Sequence, residues 1–110
     1  MNGQAYVEVV LSAVERIPPG RVLSYCDVAE LVGAGGPRQV GHIMATHGGA
    51  VPWWRVVRAD GSTAVRKEAG QLSLLAGEGC PLRPGGQRVD MARARWDGIV
   101  LGAALADPCG

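Results

Sequence analysis

Residues 24–47 read SYCDVAELVGAGGPRQVGHIMATH, and two helices joined by a glycine-rich turn account for all of it. Ser24 stands where an N-cap belongs, and Asp27 three residues later puts a carboxylate in the first turn, a weaker relative of the capping box. Val28, Ala29, Leu31 and Val32 then fall on the inward face, and Gly33 supplies the stop. After Gly33-Ala34-Gly35-Gly36, Pro37 takes the first helical position, where its missing N–H costs nothing, and Val40, Ile43 and Met44 share one face. This is the shape of a helix-turn-helix, although a plain helical hairpin reads the same way.

Upstream, residues 4–16 (QAYVEVVLSAVER) place Tyr6, Val9, Val10, Ala13 and Val14 at helical spacing, and Ile17-Pro18-Pro19-Gly20 ends that helix. Arg21-Val22-Leu23 reads as a short extended piece. Downstream, VPWWRVVRADG at residues 51–61 is a short β-branched segment closed by a turn at Ala59-Asp60-Gly61-Ser62. Its adjacent tryptophans cannot share one side of a strand, so one of them should line something other than the ordinary core. Residues 67–79 suggest a further helix with Leu72 and Leu75 inward, Cys80 to Arg88 a loop, and Val89 to Trp96 no single element.

The chain has 110 residues, of which 47% are hydrophobic, and this fits one domain spanning 1–110. A formal net charge of +1 excludes a globally basic coat but not a local basic face. Cys26, Cys80 and Cys109 lie far apart, and His42 and His47 are the only histidines. That pattern argues against a disulfide framework or a zinc site and for a reducing cytoplasm. The start MNGQAYVEVV lacks a basic leader, and no run approaches the ~18 apolar residues of a membrane span. The expectation is a soluble cytoplasmic protein without a membrane association.

The blocks GRVLSYCDVAELVG, PRQVGHIM and VPWWRVVRADGS, in that order, resemble the DNA-binding domain of the O6-alkylguanine-DNA alkyltransferases, whose hallmark is Pro-Cys-His-Arg-Val. The resemblance covers about residues 5–78, and the rest, 79–110, resembles the C-terminal extension of the alkyltransferase-like proteins. It implies a mainly α fold with a small β element, a winged helix-turn-helix-like DNA-binding domain. Trp53 stands where the family has its acceptor cysteine and Trp54 where it has the histidine that helps make the thiolate. An indole cannot attack carbon as a thiolate does, so suicide transfer is closed at this position. The resemblance therefore implies a non-catalytic damage sensor. It would bind duplex DNA in the minor groove as a monomer, flip O6-alkylguanine into a pocket walled by Trp53, and mark the lesion for nucleotide excision repair proteins.

The same resemblance assigns roles to particular residues. Tyr25 would press on the 3′ phosphate of the target nucleotide, with a half-buried packing aromatic as the plain alternative. Arg38 would enter the duplex and fill the gap left by the flipped base, where a surface arginine is otherwise merely solvated. Gln39, Gly41 and His42 would face the groove, Gly41 being small enough for close backbone approach. Val51, Trp53 and Arg66 would line the lesion pocket with Tyr25, Arg66 packing its guanidinium against the base. Arg55 would be structural, bonding backbone near the pocket, and Cys26 would serve packing. No cofactor or metal is implied. Two other readings stay open: a catalytic alkyltransferase or other base-processing enzyme using a displaced residue, and a helix-turn-helix transcription regulator, for which no dimer helix is evident.

Overall fold

A computed structural model describes residues 3–63 and 68–97. Its elements are α1 (Gly3–Glu15), β1 (Leu23–Ser24), α2 (Tyr25–Val32), α3 (Pro37–His47), β2 (Val56–Val57), α4 (Glu68–Gly77) and α5 (Met91–Ala94). The fold is mainly helical, as the sequence implied, with α1, α2 and α3 packed on one another and a two-stranded sheet beside them.

α1 buries Val10, Ala13 and Val14, and Ile17 continues the same face just beyond the helix. Val9, grouped with that face by spacing, is instead 38% exposed. The buried line is centred on Val10 and Val14, and one residue step turns Val9 about 100° away from it. Amides of Arg16 and Ile17 bond to Ala13 and Val14 carbonyls at 3.1 Å each, which tightens the last turn before Pro18 and Pro19.

The helix-turn-helix is built by local chemistry. The Asp27 amide donates to Ser24 Oγ at 3.0 Å and the Ser24 amide to Asp27 Oδ2 at 2.9 Å, a complete capping box rather than the weaker relative expected. Gly33 closes α2 in the left-handed region at φ 83°, where a side chain would be strained. α3 starts at Pro37 and buries Val40, Ile43 and Met44, the face read from the sequence.

β1 and β2 are parallel, with Leu23 opposite Val56 and Ser24 opposite Val57. Consecutive strand residues direct their amide groups to opposite sides, so Val22 turns to the other edge. There it takes the Trp96 amide at 2.8 Å and donates to the Ala94 carbonyl at 3.0 Å, with Arg95 alongside it in parallel. The ambiguous stretch from Val89 to Trp96 is thus the short helix α5 followed by a run that borders β1. In α4, Leu75 and Gln71 are fully buried and Leu72, expected inward, is only half-buried. The inward line runs through positions 71 and 75, and it includes a glutamine.

Two apolar clusters result. The larger joins α1, α2 and α3 with Leu23, Val51 and Val56, and Tyr25, Trp53 and Trp96 pack against it. The smaller gathers Val22, Val57, Leu75, Cys80, Val89 and Ala94, with Trp54 against it. Among the described residues no helix is long and apolar enough to cross a membrane.

Candidate nucleic-acid interface

The tryptophan pair lies in neither strand. Pro52, at φ −71° and ψ 70°, is the centre of an inverse γ-turn closed by the Trp53 amide on the Val51 carbonyl at 2.7 Å. A single 3-10 turn, Trp53–Arg55, follows and leads into β2. At three residues per turn, successive side chains diverge by about 120°, so the two indoles separate as a strand would separate them, but for a helical reason. Their ring centroids are 5.8 Å apart and their planes meet at 87°, an edge-to-face arrangement. Trp53 joins the larger cluster and Trp54 the smaller.

Trp54 is held by a charged network that sequence reading did not anticipate. Its indole N–H donates to Glu78 Oε2 at 3.0 Å. Arg55 grips the same carboxylate through Nε at 3.1 Å and Nη2 at 2.6 Å, while its Nη1 donates to the Ile17 carbonyl at 2.8 Å. The Arg55 guanidinium also lies 5.4 Å from the Trp54 ring centroid, close enough for a cation–π contact. The Gly20 amide adds a bond to Glu78 Oε1 at 3.1 Å. The hydrogen bond from Arg55 is the main reason that the Glu78 carboxyl titrates below its ordinary range, against an opposing cost of burial. From below, Gln71 Nε2 donates to the carbonyls of Trp54 at 3.1 Å and Val56 at 2.8 Å. Arg55 is structural, as its motif position suggested. Glu78 sits 23 residues away in a Gly-Glu-Gly run and carries no local signal of this role.

Trp53 and Tyr25 both pack against the larger cluster. Val51 is itself one of its buried members. At Gly48, just past α3, a Cβ would come within 3.2 Å of Met44 Cε and 3.5 Å of Trp53 Cβ. Tyr25 is the first residue of α2 and half-buried. Burial raises its phenol pKa, and the nearby Arg58 guanidinium opposes that rise. The hydroxyl is therefore a neutral donor near pH 7. Arg58 was not singled out in the sequence, yet among the described residues it is the cation that acts on Tyr25. Arg66 and Lys67 lie outside the described residues.

Arg38, Gln39 and His42 are exposed on α3 and Gly41 is half-buried, with open space where its side chain would be. Gln39 Oε1 accepts the Gly36 amide at 2.8 Å, so part of this side chain is committed to capping α3. Arg38 has no ion pair with any described residue. With Gln39, His42 and His47 it borders an apolar groove of about 530 Å³ against Tyr6 and Val7 of α1.

The cysteines differ from expectation. Cys26, read as a packing residue in a chain without disulfides, is buried and disulfide-bonded, so it is not available as a thiol. Cys80 is free and buried, and burial, with Glu78 nearby, pushes its pKa up to about 11. It remains a thiol at neutral pH and makes a poor nucleophile. No cluster of histidine, cysteine or carboxylate groups among the described residues could hold a metal ion.

Residues 5–80 match the family model of the 6-O-methylguanine DNA methyltransferase DNA-binding domain. Over 98 residues the chain is 34% identical to the DNA base-flipping protein of Escherichia coli (strain K12), covering 84% of this chain and 75% of that one. The Shigella flexneri DNA base-flipping protein matches to the same extent, 34% over 98 residues. The fold is similar to that of S. pombe Atl1 in complex with damaged DNA containing O6-carboxymethylguanine, with a TM-score of 0.76, 28% identity, and coverage of 87% of this chain and 98% of that one. S. pombe ATL in complex with DNA gives a TM-score of 0.75 at 29% identity with the same coverage, 87% and 98%. With the helix-turn-helix, the tryptophan turn and the matched span in agreement, the chain belongs to the family of the 6-O-methylguanine DNA methyltransferase DNA-binding domain.

Proposed function

We propose that this protein is a non-catalytic sensor of alkylated guanine in duplex DNA, which flips the modified base into a pocket walled by Trp53. The observation that carries the proposal is the likeness to Atl1 bound to O6-carboxymethylguanine DNA, which extends over 87% of this chain. The local chemistry supports it. Tyr25 is a neutral phenol at a helix start, suited to a phosphate, and Arg38 is an exposed cation at the start of α3, suited to entering a duplex. Trp53 offers a flat apolar wall on the cluster against which Tyr25 also packs. The family's acceptor cysteine corresponds to Trp53 in this reading, and neither Cys26 in its disulfide nor the buried Cys80 thiol replaces it. Arg66 would complete the pocket over the purine face, and the protein would act as a monomer that hands the lesion to nucleotide excision repair.

A titration at fixed salt against matched duplexes, one with guanine and one with O6-methylguanine, tests the proposal, together with a radiolabelled methyl group on the lesion. The expected result is tighter binding to the modified duplex with the label left on DNA. Equal affinity for both duplexes sinks the sensor reading, and label transferred to protein sinks the non-catalytic one.

A further inference from the structure

Asp27 does more than cap a helix. It is 2% exposed, and a carboxylate so placed must be paired. Its Oδ2 accepts the Ser24 amide at 2.9 Å and Arg95 Nε at 2.8 Å, and its Oδ1 accepts Arg95 Nη2 at 2.6 Å. The guanidinium thus holds the carboxylate in a two-bonded fork, and the carboxylate in turn holds the backbone at Ser24. Arg95 comes from 68 residues away, beyond the end of the family match at residue 80. It is itself fixed, because Ala94 and Trp96 on either side bond to Val22 at the edge of β1. Trp96 packs on the same cluster as Tyr25 and Trp53, with the Arg16 guanidinium 6.0 Å from its ring centroid.

The segment Val22–Ser24 is therefore clamped along one edge by β2, which leaves the tryptophan turn, and along the other by residues 94–96. The residue that emerges from this clamp is Tyr25. We infer that Arg95 is a positioning residue for Tyr25: through Asp27 it fixes the N-terminus of α2, and so the direction from which Tyr25 meets the backbone of the target nucleotide. The inference rests on the base-flipping reading above. Without the guanidinium, the Asp27 carboxylate gains most by turning to water, which releases the Ser24 amide and loosens the first turn of α2. Contacts made by α3 with undamaged DNA are untouched by that change, since α3 begins at Pro37 with a cap of its own from Gln39.

The experiment is a double-mutant cycle in the full chain, reading 2-aminopurine fluorescence at the target position and the affinity ratio between modified and unmodified duplex. Arg95→Gln, Tyr25→Ala and the pair are compared, with Arg95→Lys as the conservative variant. In case Arg95→Gln leaves the buried Asp27 carboxylate unpaired and the chain fails to fold, Asp27→Asn with Arg95→Gln removes both charges and serves in its place. Arg95→Gln is expected to lower flipping and lesion preference by about threefold or more, and to have no further effect once Tyr25 is alanine. Arg95→Lys should recover part of the loss, while the affinity of the two Arg95 variants with Tyr25 intact for unmodified duplex stays within about twofold. Additive losses in the pair, or an equal loss on unmodified duplex, overturn the role assigned to Arg95. Absence of any flipping signal in the unmodified protein overturns the base-flipping reading itself and this inference with it.

Discussion

Glu78→Gln tests the network behind the tryptophan turn. The carboxylate accepts from Arg55 twice, from the Trp54 indole and from the Gly20 amide. Glutamine keeps one oxygen and turns the other into an N–H donor, so whichever way its amide faces, two donors meet a donor. Breaking a buried pair costs about 3–5 kcal/mol, but the Arg55 and Glu78 side chains are 12% and 16% exposed, and water reduces the loss to about 2–3 kcal/mol. For a domain of this size that is a fall of about 10 °C in Tm. The sign with pH follows from the titration of Glu78, whose pKa is lowered from 4.5, chiefly by Arg55. A group with a depressed folded pKa contributes stability that is complete above its unfolded value and is lost as pH falls through its folded value. The gap between the two proteins in urea unfolding should be full at neutral pH and should narrow once the pH drops below 4.5. Taking the difference removes titrations common to both. A gap of the same size on both sides of that window, or one below about 0.5 kcal/mol at neutral pH, would refute the assignment of Glu78 as the ionised centre of the network.

Gly61 has φ 87°, and a Cβ on it would lie 2.2 Å from the Val89 carbonyl oxygen. Gly61→Ala should therefore lose at least about 2 kcal/mol in urea unfolding, against about 1 kcal/mol for Gly85→Ala, which has positive φ but open space around it. Arg38→Ala should reduce 2-aminopurine fluorescence at the target and weaken binding by more than one phosphate contact; unchanged flipping returns Arg38 to solvent. With few cations on one face of a chain of net charge +1, neutralising about five phosphates gives a log–log salt slope of about −4.5. A slope near zero in a salt titration would mean that phosphates take no part in binding.

The helix-turn-helix was legible because its determinants are local: a cap three residues from its partner at Ser24 and Asp27, a left-handed stop at Gly33, a proline at the first position of α3. The residues that fix the candidate site are joined across the chain, and a single sequence carries no sign of such pairs. Glu78 reads as a polar residue between two glycines, and Arg95 as one basic residue in an ambiguous tail, until the fold brings them to Arg55 and Asp27. Gln71 was not among the inward positions read from the sequence. A glutamine on a helix reads as solvent-facing, but two carbonyls freed by the 3-10 turn and the edge of β2 need a donor, and its amide supplies it from inside. The divergence of Trp53 and Trp54 was read correctly from the wrong element, since a strand and a 3-10 turn both part neighbouring side chains.

The network also changes what to expect from rebuilding a nucleophile. From sequence, Trp53→Cys lacks a base, and adding Trp54→His still lacks a carboxylate to orient the imidazole. The structure supplies one: the ring nitrogen at position 54 already reaches Glu78 Oε2 at 3.0 Å. An imidazole there can donate one N–H to Glu78 and leave its other nitrogen to take a proton from a thiol at the preceding position. An unassisted thiol with a pKa of ~8.5 is only a few per cent ionised near neutral pH, so Trp53→Cys alone should give no transfer within the time of a single-turnover assay with methyl-labelled duplex. Trp53→Cys with Trp54→His should transfer measurably, with about 10²-fold or more of its rate attributable to the oriented base. Glu78→Gln added to that pair should remove most of the gain, because the imidazole loses the partner that sets its tautomer. Rapid transfer by Trp53→Cys alone would refute this chain of reasoning. It would show that some group other than position 54 already serves as the base, and that the Glu78 network holds only the fold.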